Sequence, residues 1–146
     1  MNSLISELTA KDDPAAYART KEIAAASELS PEYYPHLEEF ASLLGDAKSY
    51  IRTRAFILSC SQARWDSEGR LRKILPEMLA LLHDPKPTVA RQCLNAVKEI
   101  AVFRPELCGE IRKALSEIDL SKYRDSMAPL IRKDMDEVTE LLDEHN

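Results

Sequence analysis

LRKILPEMLALLHDPKPTVARQCLNAVKEIAVF, residues 71–103, predicts two apolar-faced helices joined by one short turn. The apolar residues recur at spacings of three and four, which is the period of one helix face. They are Leu71, Ile74, Leu75, Met78, Leu81 and Leu82 in the first half, and Val89, Cys93, Ala96 and Ile100 in the second. Asp84-Pro85-Lys86-Pro87 separates the halves, because each proline disfavours the helical region for the residue before it. A hairpin this small cannot bury both apolar faces, so it is expected to stack on similar units.

The same pattern recurs one unit earlier in the chain. When Asp46 is placed on Asp84, 38 residues later, the apolar positions of the two units coincide. Leu43 and Leu44 then align with Leu81 and Leu82, Phe40 with Met78, Ile51 with Val89, and Ala55 with Cys93. Helix pairs of about 37 residues would fill the chain four times, with approximate boundaries 1–30, 31–65, 66–103 and 104–146. We therefore predict one all-α domain over residues 1–146.

Composition favours an ordinary soluble globular protein. Of the 146 residues, 45% are hydrophobic and 31% charged, and the net charge of -5 argues against a general nucleic-acid or membrane-surface binder. No segment approaches the roughly 20 apolar residues of a membrane span, and the N-terminus lacks the pattern of a signal peptide. The three cysteines lie in helical patterns, and their odd number suits a reducing compartment. We predict a cytoplasmic protein.

No catalytic, cofactor-binding or metal-binding site is predicted. The three histidines, His36, His83 and His145, have no cysteine, aspartate or second histidine at a ligand or triad spacing. The three glycines are scattered, so no phosphate-binding loop is present. Adjacent carboxylates such as Glu38 and Glu39 diverge on a helix and cannot form an acid/base pair. We therefore do not expect an enzyme.

Prolines and capping residues predict where helices bend and begin. Pro76 should kink the helix that contains it, and Pro129 should bend or split the segment 121–143. Asp66 or Ser67 is expected to cap the helix that follows. At the end of the chain, acidic residues lie opposite an apolar stripe, so this last helix should close the stack with a polar outer face.

The stretch ILPEMLALLHDPKPTVARQCLNAV resembles a HEAT repeat, with a proline in its leucine-rich first helix, an aspartate in the turn and a branched apolar residue five positions later. The resemblance implies a right-handed α-α superhelix, or α-solenoid, of about four HEAT-like helix pairs. It further implies that the second helices line a concave surface, and that Asp46, Arg52 and Asp84 hold neighbouring turns together. Ala90 stands where the repeat offset would place a second arginine, so the expected arginine ladder is incomplete.

Two functions are compatible with this architecture. The first is a non-catalytic protein-protein interaction scaffold or adaptor, because stacked helix pairs form an extended surface. The alternative is a nucleic-acid-binding HEAT-like protein related to alkylpurine DNA glycosylases. It rests on Arg64-Trp65-Asp66 and on the segment 48–73, which contains seven basic residues and only two acidic ones. Trp65 is equally compatible with an anchor in a loop between repeats.

The helix predicted over 88–103 indicates where a partner protein would bind. Arg91, Asn95 and Lys98 lie opposite its apolar stripe, and the repeat offset places Ile57 and Cys60 in the same row. The predicted groove is apolar in its middle and basic along its edges, through Arg19, Arg54, Arg64, Arg91 and Lys98. An acidic amphipathic helix would fit such a groove. It is equally possible that a neighbouring helix of the same chain covers Ile57 and Cys60, and the oligomeric state stays open.

Overall fold

The computed structural model describes residues 3–144, which form helices and short turns without any strand. The prediction of an all-α protein is therefore confirmed. The helices are α1 (Ser3–Leu8), α2 (Asp13–Ser27), α3 (Leu37–Ala41), α4 (Ser49–Cys60), α5 (Leu71–Ala80), α6 (Pro87–Ala96), α7 (Lys98–Phe103), α8 (Cys108–Ser116) and α9 (Ala128–Glu144).

Helices α2, α4, α6 and α9 form one layer, in which each helix packs on the next. Hydrogen bonds between neighbours give their direction. Arg54 in the middle of α4 reaches Asp13 at the start of α2 at 2.5 Å, whereas Gln62 after the end of α4 reaches Ser27 at the end of α2 at 3.0 Å. The same order holds between α4 and α6 and between α6 and α9. Because partner positions advance together along both helices, all four run parallel.

The helices α3, α5 and α8 lie on the other side of the core. Arg70, just before α5, pairs with Glu38 of α3, and Arg72 of α5 pairs with Glu110 of α8 at 3.2 Å. In this layer α5 therefore lies beside α3, and α8 lies beside α5. One continuous apolar cluster fills the interior, and its largest fully buried side chains include Phe40, Phe56, Leu58, Met78, Leu82 and Leu94.

Aspartates close the turns that precede α4 and α6. The Asp46 carboxylate accepts a hydrogen bond from the Lys48 backbone N–H at 2.9 Å, and Asp84 accepts one from Lys86 at 3.0 Å. Arg52 joins the two turns, because its guanidinium donates to both Asp84 carboxylate oxygens and to the Asp46 carbonyl at 3.0 Å. These three side chains therefore connect neighbouring turns within the protein.

Asp66, one of the two expected capping residues, closes the start of α5. Its buried carboxylate accepts hydrogen bonds from the backbone N–H groups of Arg70 at 2.8 Å and Leu71 at 3.0 Å, and from the Tyr34 hydroxyl at 2.5 Å. Burial and the bond to Asp66 raise the pKa of Tyr34 to about 12. Gly69 has a φ of +73°, a left-handed conformation that glycine adopts without strain, and it turns the chain back towards this carboxylate.

Three helix boundaries refine the sequence-based expectations. Helix α5 contains Pro76 and continues beyond it to Ala80. The segment expected to bend or split at Pro129 is split, because α9 begins at Ala128 and has the proline in its first turn, where no backbone N–H is needed. The helix expected over 88–103 is interrupted at Val97, which separates α6 from α7.

Candidate binding groove

A groove of about 670 Å³ crosses the layer formed by α2, α4, α6 and α9. Its apolar part consists of Ala24, Ile57, Cys60 and Ala96, with Met127 at the far side just before α9. Its polar lining consists of Glu28, Ser61, Thr88, Arg91, Gln92, Asn95, Lys98, Glu99 and Asp134. The groove therefore combines side chains from all four parallel helices and from α7.

A second, smaller cavity of about 180 Å³ continues the groove towards the starts of the helices. Ile57, Thr88 and Gln92 line both cavities, so the two form one surface. The second cavity adds two exposed aromatic rings, Tyr17 and Tyr50, with 54% and 46% of their surface exposed. Large exposed apolar side chains on one side of the molecule are typical of a surface that binds a partner.

The structure brings most of the predicted row together. Arg91, Asn95, Lys98, Ile57 and Cys60 all line the larger cavity. Ile57 is half-buried and faces the groove, whereas Cys60 is almost completely covered by the rest of the chain. Ile57 is therefore accessible to a partner, whereas Cys60 is covered by the chain itself.

The cations of the predicted row already have partners in α9. Arg91 donates to Asp134 at 2.7 Å, and Lys98 donates to Glu137 at 2.7 Å. The interaction with Lys98 lowers the pKa of the Glu137 carboxyl. Helix α9 also buries Ile131, Val138 and Leu142 completely. The acidic amphipathic helix that this row accommodates is therefore a helix of the same chain.

The remaining members of the predicted basic rim lie outside the larger cavity. Arg54 is 6% exposed and pairs with Asp13, so it is not a free cation at the edge of the groove. Arg64 pairs with Glu99 at 3.0 Å, and Arg19 pairs with Glu7 and Glu22 on the outer side of α2. Intramolecular carboxylates thus pair with all three arginines, although Arg54 lines the smaller cavity, and their contact with a partner stays a prediction.

The same holds for the arginines of the basic segment 48–73. Each of its five arginines forms an ion pair with a carboxylate from another helix or turn. The pairs are Arg52–Asp84, Arg54–Asp13, Arg64–Glu99, Arg70–Glu38 and Arg72–Glu110. Charge counts along the sequence miss these partners, which lie more than 30 residues away. The positive charges of these arginines are therefore neutralised by carboxylates of the same molecule.

No family model matches the chain, and no curated protein or solved structure matches it either. Comparison with known proteins therefore leaves the resemblance to HEAT repeats as an expectation. The function has to be argued from the groove and its surroundings.

The described residues contain no group of side chains suited to holding a metal ion. His36 contacts Glu39 at 3.0 Å on the surface, and His83 lies far from it in sequence, in the turn after α5. His145 lies outside the described residues. None of the helices between residues 3 and 144 has the length and hydrophobicity that crossing a bilayer requires.

All three cysteines are buried free thiols, and burial raises the pKa of each. Because the thiolate is the reactive form, we expect Ellman's reagent to modify them in the native protein about a hundredfold more slowly than an exposed cysteine. A Ser67→Cys variant supplies that exposed thiol as the control, and denaturant should release all three native thiols. Rapid modification of the native wild-type protein would contradict the burial described here.

Proposed function

We propose that this chain is a non-catalytic protein-protein interaction module of the HEAT-like α-solenoid type, and that the groove across α2, α4, α6 and α9 is its binding surface. The observation that carries this proposal is the combination of the groove with the half-buried Ile57 and the exposed Tyr17 and Tyr50. Rigid helices hold these side chains in place, and exposed aromatic residues are frequent anchors at protein interfaces.

Repeated contacts between successive units support the solenoid part of the proposal. At the far end of the layer, the Trp65 indole N–H donates to the Ser27 carbonyl at 2.6 Å, beside the end of α2. One unit later, Arg104 donates to the carbonyls of Ala63 at 2.7 Å and Arg64 at 3.2 Å. In both cases a side chain bonds a backbone carbonyl at or just after the end of a helix about 40 residues earlier in the chain. Trp65 thus acts as an anchor between units.

The ion pairs of the basic segment favour a protein partner over a nucleic acid. A phosphate backbone is bound by cations that are free to replace its counterions. Here the five arginines between residues 48 and 73 are paired with carboxylates, which would have to be displaced first. A reducing compartment such as the cytoplasm suits the three free thiols, and we include it in the proposal.

Site-specific photo-crosslinking in the source cell tests the proposal. A photoreactive amino acid at Gln92, which is exposed and lines both cavities, should crosslink to a defined partner protein. The matched control carries the same group at Glu77, an exposed position on α5 in the other layer. Equal crosslinking from the two positions, or crosslinking from Glu77 alone, would overturn the assignment of the groove.

A substitution in the groove provides the second arm of this test. Ile57→Asp introduces a charge into the apolar middle of the groove and is expected to reduce crosslinking from Gln92 at least tenfold, because it removes an apolar anchor. Ile57 is only half-buried, so the melting temperature should fall by a few degrees at most, which is about 1 kcal/mol. Unfolding of this variant would instead make Ile57 part of the core and would contradict the proposed surface.

A further inference from the structure

We propose that the partner segment bound in this groove is a basic amphipathic helix, rather than the acidic helix that the sequence alone favours. This inference rests on the proposed function and adds the chemical class of the ligand. It depends on which charged side chains at the groove form no ion pair within the chain.

The cations that line the groove are not available to an acidic guest. Arg91 and Lys98 are held by Asp134 and Glu137 of α9, each at 2.7 Å. An acidic helix would have to displace these carboxylates, which belong to a helix whose apolar side is completely buried. Within the described residues, the cations lining the larger cavity therefore offer no free positive charge.

A free carboxylate, by contrast, lies in the groove. Glu28 lines the larger cavity, is exposed and makes no ion pair with any described residue. On the opposite wall, Glu140 and Glu144 follow Glu137 on the same side of α9, at spacings of three and seven residues. Glu137 reaches Lys98 at the groove, so these two exposed carboxylates lie on the groove side of α9, beyond the residues that line the cavity. Lys133 lies one turn earlier on this side, near the start of α9.

The helix dipoles increase the negative potential at this end of the groove. Helices α2, α4 and α6 end at this side of the layer, whereas α9 continues seven residues beyond Glu137, and none of the four has a basic residue in its last turn. Helix C-termini carry partial negative charge, and acidic side chains beside them are unfavourable. Glu28 is the C-terminal capping residue of α2, and Glu144 is the last residue of α9. A cation supplied by a partner would offset the unfavourable interaction of both carboxylates with the helix C-termini.

Apolar surface accompanies these carboxylates, which is why an amphipathic segment fits better than a purely basic one. Leu29, next to Glu28, is 86% exposed, and Phe103 at the end of α7 is 38% exposed. The Phe103 ring stacks on Arg64, whose guanidinium also donates to the Glu28 carbonyl at 3.1 Å, so this aromatic side chain lies close to the acidic end. Leucine-like side chains of a guest would contact these residues and Ile57, while its lysines would face Glu28 and Glu140.

Binding of designed peptides to the full chain tests the inference. The probe is a fluorescent helical peptide of about five turns, with leucine on one face and lysine on the other. Two further peptides serve as comparisons, one with glutamate in place of each lysine and one with the lysine sequence scrambled. We expect the lysine peptide to bind at least tenfold more tightly than either comparison peptide, with an affinity that falls as salt is added.

Matched charge reversals separate this site from a general attraction to an acidic protein. Glu28→Lys with Glu140→Lys should weaken binding of the lysine peptide about tenfold or more. Glu77→Lys with Glu117→Lys changes the net charge equally on α5 and at the end of α8, in the other layer, and should leave binding within about twofold of wild type. Lysine near a helix C-terminus is favourable, so the groove variant is expected to remain folded, and its melting curve verifies this.

Each outcome decides the question. Equal binding of the glutamate or scrambled peptide, or equal weakening by both pairs of substitutions, would overturn the assignment of a basic helix to this groove. The crosslinking experiment at Gln92 does not depend on the charge of the partner. A groove that captures a partner there but rejects the lysine peptide would leave the proposed function intact and refute only the present inference.

Discussion

Removal of residues 130–146 is expected to leave a chain that aggregates instead of folding into a soluble monomer. The deleted part contains Ile131, Val138 and Leu142, which are completely buried where α9 packs on its neighbours. At roughly 2 kcal/mol for each fully buried aliphatic side chain, their loss costs about 6 kcal/mol. This is comparable to the whole stability of a typical domain, about 5–15 kcal/mol. Light scattering and thermal unfolding measure the effect.

Point substitutions on α9 give the controls for this truncation. Val138→Asp places a charge in the buried stripe and should have a similarly severe effect, whereas Asp136→Ala changes an exposed position and should be nearly neutral. A truncated protein that stays monomeric with an unchanged melting temperature would show that α9 is not the closing helix of the stack.

Replacing Arg52 with alanine should lower the free energy of unfolding by about 3 kcal/mol. Arg52 holds the Asp84 carboxylate with three hydrogen bonds, and the Asp84 side chain is only 4% exposed. Without the guanidinium, a buried negative charge is left without its counterion, which is why removal of one partner is costly. Chemical denaturation of the two proteins measures the difference.

Two comparisons separate this effect from the general loss of a surface arginine. Arg72→Ala removes an exposed pair with Glu110 and should cost about 1 kcal/mol or less. Adding Asp84→Asn to Arg52→Ala removes the unpaired charge while keeping an acceptor for the Lys86 N–H, and it should restore about 1 kcal/mol. If Arg52→Ala costs no more than Arg72→Ala, the link between the two turns does not stabilise the fold.

Local patterns predicted the helices well because their causes are local. Apolar residues at spacings of three and four marked the hairpin at 71–103. Asp66 and Ser67 were both candidate caps for the helix that follows; Arg70 occupies the N-cap position, and the Asp66 carboxylate accepts the N–H groups of Arg70 and Leu71. The boundary at Pro129 was left open between a bend and a split. A bend and a split are both compatible with the geometry of proline, so the sequence could not choose between them.

The candidate groove was predicted in part for the same reason. The row of Arg91, Asn95 and Lys98 follows from helical periodicity, and the repeat offset correctly added Ile57. Glu28 was missed, because it lies at the end of α2, where the offsets between repeats are least regular. The exposed Tyr17 and Tyr50 were missed as well, because helical periodicity does not separate an exposed aromatic ring from one that belongs to the core.

The sequence by itself determined an all-α protein, since helical periodicity and turn residues act over short distances. Only the tertiary structure decided the charge of the groove. Asp134 and Glu137 lie 43 and 39 residues from Arg91 and Lys98, and ion pairs form between residues that packing brings together, whatever their separation along the chain. The final charge of a surface therefore depends on which helices become neighbours.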